Sequence, residues 1–195
     1  MKKITLFIGI VLCFFALTSC DNSASKMEGI MAEVENYFAQ AEQQLEPIDN
    51  AEDFLAFYDE FSDGQNAFLE SLNAKFPTDE NGKFKGLTQE QTDEVNSKIY
   101  ERASAFNKKT AAKCSEYLTP LIDKLEVAAN NAKEEFDTTG NISETTRLEV
   151  GNAIEDVLVF ADFDNVPKVL QNRYAQITSI LESIAPEEYP EGEEE

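Results

Sequence analysis

Between Met27 and Ile184 the apolar residues recur at steps of three and four, and this period constrains the fold more than any other feature. Such spacing lines up one face of a helix, whereas a half-buried strand needs strict alternation. The first run is Met27, Ile30, Met31, Val34, Tyr37, Phe38, Ala41 and Leu45, and Pro47 ends it. A second run follows over about Asn50–Lys75, with Phe54, Phe57, Tyr58, Phe61, Phe68, Leu69 and Leu72 continuing to Phe76. Gly64 weakens its middle, where a kink is expected. Residues 77–87 carry one proline and two glycines and form a loop.

Thr88 with Gln91 three residues on has the pattern of a capping box, which starts a third helix. That helix presents Val95, Ile99, Ala103, Phe106, Cys114, Tyr117 and Leu118. Thr119-Pro120 either caps and opens a new helix or kinks one long helix. The stripe resumes with Leu121, Ile122, Leu125, Ala128, Ala129, Ala132 and Phe136, and Gly140 stops it. Ser143 suits the N-cap of the next helix, whose stripe is Leu148, Val150, Ile154, Val157, Leu158 and Ala161. That period predicts helix through Phe163, a turn at Asp164-Asn165 and a last helix from Val166, with Pro167 in its first turn. The last stripe is Val166, Val169, Leu170, Tyr174, Ile177, Ile180, Leu181 and Ile184. No hairpin signal and no solenoid repeat interrupts the series. The expected fold is all-α, a bundle of five or six amphipathic helices whose stripes share one core.

The first twenty residues follow a different rule. Lys2 and Lys3 precede an apolar run, Ile4–Leu17, of fourteen residues. Membrane-spanning helices need about 20 apolar residues, so this run has the length of a secretory signal. It closes with Leu17-Thr18-Ser19-Cys20. That ending resembles the lipobox of bacterial lipoproteins: an aliphatic residue, two small residues and a cysteine. The resemblance covers residues 1–20 alone. It implies cleavage before Cys20, diacylglycerol on the Cys20 sulfur and an acylated new amino terminus, and two or more acyl chains give stable anchoring. Asp21 directly after it resembles an inner-membrane retention signal of enterobacteria; other bacteria sort by different rules. The expected organisation is a signal peptide at 1–19, a lipidated tether at 20–25, a helical domain at 26–185 and a disordered acidic tail at 186–195.

Removing Lys2 and Lys3 leaves 14 basic residues against 38 acidic, a balance of −24. Nucleic acid and anionic lipid head groups are poor partners for so negative a surface. The charge is segmented: residues 27–74 hold twelve acids and no base, residues 75–133 nine acids and ten bases, and residues 134–195 sixteen acids and three bases. The central segment is therefore expected to pack antiparallel against neighbours from the other two.

Candidate chemistry is sparse. There is no histidine, which excludes His-dependent triads and His-ligated metals. Cys114 is the one thiol of the mature chain besides Cys20, and on an apolar face it is expected to be core. Val157 to Ala161, followed by Asp162-Phe163-Asp164-Asn165-Val166, resembles the first motif of haloacid-dehalogenase-type phosphotransferases. That resemblance implies Asp162 as nucleophile and Asp164 as acid/base beside magnesium. It also requires a buried parallel strand before the aspartates and a later lysine and acidic ligands on further α/β units. Only 29 residues follow Val166, one helical stripe and the tail, so a helix ending in a polar turn is expected.

Asp79-Glu80-Asn81-Gly82 suggests a calcium loop. With Gly82 at the sixth position, however, Pro77 and Thr88 occupy the first and twelfth, where carboxylates are needed. Asn141-Ile142-Ser143 matches a glycosylation triplet, but capping by Ser143 accounts for it. No catalytic, cofactor-binding or metal residue is assigned. The expectation is a non-catalytic interaction or accessory lipoprotein of the cell envelope, facing outside the cytoplasm, with a partner protein there. The alternative is a binding protein for a divalent cation or an apolar ligand.

Overall fold

The computed structural model describes residues 23–184, which form five helices: α1 (Ser23–Leu45), α2 (Ala51–Lys75), α3 (Gln89–Thr139), α4 (Glu144–Leu158) and α5 (Lys168–Ile184). Among the described residues there is no strand, only an isolated antiparallel bridge from Thr78 to Phe84. The chain is an all-α helical bundle. The signal peptide expected at 1–19, Cys20 and the tail expected at 186–195 lie outside the described residues. Of the tether expected at 20–25, Ser23, Ala24 and Ser25 belong to α1.

The long α3 organises the molecule. At 1.5 Å per residue its 51 residues span about 76 Å. Thr88 starts it with a complete capping box, and Gly140 ends it at φ 75°, in the left-handed region. A side chain there costs about 1–2 kcal/mol of backbone strain. Gly140→Ala is accordingly expected to lower stability by about 1 kcal/mol, read from the urea midpoint; an unchanged midpoint would sink this account of the helix stop.

Pro120 neither breaks α3 nor begins a new helix. It lies on the solvent side, where the carbonyl it frees can reach water. Meanwhile Leu118, Ile122 and Leu125 bury the opposite face. That packing offsets a penalty of roughly 3 kcal/mol.

Ring contacts and ion pairs fix the directions. α2 runs antiparallel to α1, with Tyr37 stacked on Phe68 at 4.1 Å and Lys75 Nζ 2.8 Å from Glu33. It is also antiparallel to α3, where Phe54 meets Tyr117 and Phe61 meets Phe106. α1 is parallel to α3: Gln91 donates to Ser23, Arg102 pairs with Glu35 and Glu42, and Lys109 pairs with Glu42. In the other half α4 is antiparallel to α3, through Glu135 with Thr146 and Lys124 with Asp156. α5 returns parallel to it, Arg173 reaching Asp123 and Glu126. The central segment thus pairs with acidic neighbours, but two of the four helices on α3 run parallel to it. Two successive reversals restore the direction of the chain.

One core of buried side chains runs from Ile30 to Ile177 through all five helices. α1 and α2 bury the expected faces, apart from exposed Leu69, and α2 passes through Gly64 as one helix. Four expected stripe residues in the second half are exposed: Leu148, Leu158 and Val169, at 64%, 51% and 65%, and Ala161. Leu148 and Leu158 each stand five residues from buried Ala153, about 140° around the helix. Leu181 is half-buried at the core margin.

The connector between α4 and α5 also differs from expectation. α4 ends at Leu158, five residues before Phe163. The chain then tightens through three-residue turns, with amides of Phe160, Ala161 and Phe163 donating to Val157, Leu158 and Phe160. These turns drop Phe160 and Phe163 into the core. Asn165 does not cap α5; its Nδ2 donates to the Tyr58 hydroxyl. Pro167 precedes α5, its carbonyl accepting from Leu170 and Gln171.

Candidate functional site

The residues that suggested chemistry from the sequence fall in turns, at a helix cap and in the core. Asp162 and Asp164 are exposed on either side of buried Phe163, in turns and not at the end of a strand. Asp79 faces its own loop: Oδ1 accepts the amides of Asn81 and Lys83 at 2.9 and 3.1 Å. The Lys83 amide bond, with that from Asn81 and the charges of Lys83 and Lys85, holds this carboxyl below its ordinary range.

Ser143 caps α4, accepting from the Thr146 amide. Glu135 of α3 clasps the same cap, accepting from Thr146 Oγ1 at 2.6 Å and from the amide and hydroxyl of Ser143. These bonds, that from Thr146 first, lower the Glu135 carboxyl. Cys114 is fully buried, and burial pushes its thiol up to about 12, so little reactive thiolate forms at neutral pH. The phenylalanines of α2 pack on one another and on Phe38, Phe106 and Phe163. Among the described residues no three of His, Cys, Asp and Glu gather as metal ligands.

The most built polar arrangement lies on the α1–α3 seam. Arg102, 14% exposed, donates from Nε to Glu35 and from Nη1 to Glu42, each at 2.8 Å, and its guanidinium stands 5.1 Å from the Phe38 ring centre. Lys109 Nζ adds a third bond, to the other oxygen of Glu42 at 2.8 Å. Burial alone would raise the Glu42 carboxyl, but the bonds from Lys109 and Arg102 outweigh it and set it below its usual range.

This network divides two open grooves. One, of about 690 Å³, has Asn36, Gln40, Gln43, Lys109 and Lys113 on its walls. The other, of about 680 Å³, is floored by Met27, Met31, Val95 and Ala105 beside Arg102. The seam offers hydrogen bonds and an apolar strip to a ligand surface, and it brings no nucleophile to a base. The sequence reading missed it because Glu35, Glu42, Arg102 and Lys109 lie far apart in the chain; the one signal was the four-residue steps of the apolar stripes, which face them toward one seam. No protein-family model, no curated protein and no solved structure matches this chain.

Proposed function

We propose that this chain is a bacterial lipoprotein, held to a membrane by lipid on Cys20, whose helical bundle serves outside the cytoplasm as a non-catalytic interaction or accessory module. The observation that carries the reading is the order of Lys2-Lys3, the fourteen apolar residues and Leu17-Thr18-Ser19-Cys20. The acidic surface and the α1–α3 seam, where Met27 and Met31 lie beside Arg102, support a role in contact with an envelope protein. Methionine adapts its shape to apolar partners.

The anchor is tested by growing cells that express the full precursor with a labelled fatty acid. The wild type is expected to carry label and to sediment with membranes. Cys20→Ala is expected to lose the label and to leave the membrane fraction, because the signal then lacks its acceptor sulfur. Equal labelling of the two chains would overturn the lipoprotein reading.

A further inference from the structure

We infer that the anchored protein stands on one end, with the start of α1, the 77–88 loop and the start of α3 toward the bilayer and the Gly140 end directed away from it. The inference rests on lipidation at Cys20. Two residues separate Cys20 from the first residue of α1. Three Cα steps span at most about 11 Å, so Ser23 is confined near the headgroups. The longer tether expected from composition would have let the bundle swing; a helix beginning at Ser23 restrains it.

What shares that end follows from α1 and α3 being parallel. Gln91 donates to Ser23 at 2.9 Å, and Lys26 donates to the Lys85 carbonyl. Residues 26–85 contain four bases, Lys26, Lys75, Lys83 and Lys85, and all four come to this end. The acids beside them are Asp79, turned onto its own loop amides, Glu33 paired to Lys75, Glu94 paired to Lys98, and exposed Glu28, Glu80, Glu90 and Asp93. The flanks differ: α2 exposes Glu52, Asp53, Asp59, Glu60 and Glu70, in a segment with no base from 27 to 74. Lying on the α2 side would bring this face within a screening length, about 8 Å, of anionic headgroups. Standing on the lysine-bearing end avoids that repulsion. α5 runs parallel to α3, so Ile184 also lies at the remote end.

The test uses the full acylated protein in vesicles of phosphatidylcholine and phosphatidylglycerol that carry nitroxide on their headgroups. A fluorophore is placed on Lys85→Cys or on Glu134→Cys, both exposed positions. Cys114 is buried and the Cys20 sulfur is blocked by lipid, so each variant labels once. Quenching several-fold stronger at position 85 than at 134 is expected. Equal quenching, or stronger quenching at 134, in protein that is acylated and floats with the vesicles, overturns the inference alone. Protein that carries no lipid overturns the lipoprotein reading and this inference with it.

Discussion

Phe106→Ala is expected to destabilise the bundle by about 3–5 kcal/mol, the usual range for truncating a fully buried aromatic side chain. Phe106 is 0% exposed and stands where three helices meet. Its ring centre is 4.6 Å from Phe61 and 6.5 Å from Phe57 of α2, and 5.5 Å from Phe38 of α1. Alanine favours helix more than phenylalanine does, so local propensity works against the loss and packing must supply all of it. The three remaining rings come from two other helices and cannot all close on the vacated space without moving a backbone. Urea unfolding followed by circular dichroism measures the change. Leu148→Ala, at a 64% exposed position in the same chain, is expected to stay within about 0.5 kcal/mol. Equal losses in the two variants would mean that the aromatic cluster is not the centre of the core.

Fold class was legible because a helical stripe repeats every few residues and needs no distant information. Ile30, Val34, Phe38, Ala41 and Leu45 all fall on the predicted face and are all buried. The caps were legible for the same reason: Thr88 with Gln91 and Ser143 with Thr146 act within three residues. Direction was not local. The charge blocks gave the partners of α3 but not whether each runs with it or against it, which depends on the number of reversals between them. Side chains in irregular segments were also missed. Phe84, Leu87, Phe160 and Phe163 are buried from loops and turns, where no period marks an inward face.

The candidate site was legible only as a series of exclusions. Asp79, Ser143 and Asp162 each stand in a pattern that chemistry also uses, and each occupies a turn or a helix end. The Arg102 network joins residues up to 67 positions apart. Its parts are unremarkable one by one, since 28% of the chain is charged and any given glutamate has many possible partners. Arg102 combines burial against Phe38 with bonds to two glutamates, and that combination is a property of the assembled seam.

The connector between α4 and α5 gives the second large expected effect. Phe163 is buried, with its ring centre 4.4 Å from Tyr58 and 5.3 Å from Phe54. It thereby fastens the α4–α5 half of the molecule to α2, and Asn165 adds a hydrogen bond from its Nδ2 to the Tyr58 hydroxyl. Phe163→Ala is expected to cost about 3–5 kcal/mol, since it leaves a hole between two helices and a turn and also loosens the connector. Its neighbour behaves oppositely. Asp162 is exposed, and Asp162→Asn is expected to change stability by no more than about 0.5 kcal/mol. A phosphotransferase would invert the importance of the two positions, because its aspartate carries the covalent step while a neighbouring apolar side chain can be replaced by another. Purified protein with magnesium is therefore expected to hydrolyse no phosphoester in either form. A magnesium-dependent phosphatase activity lost in Asp162→Asn, with the melting temperature unchanged, would replace the interaction reading with an enzymatic one. A Phe163→Ala variant as stable as the wild type would detach the connector from the core.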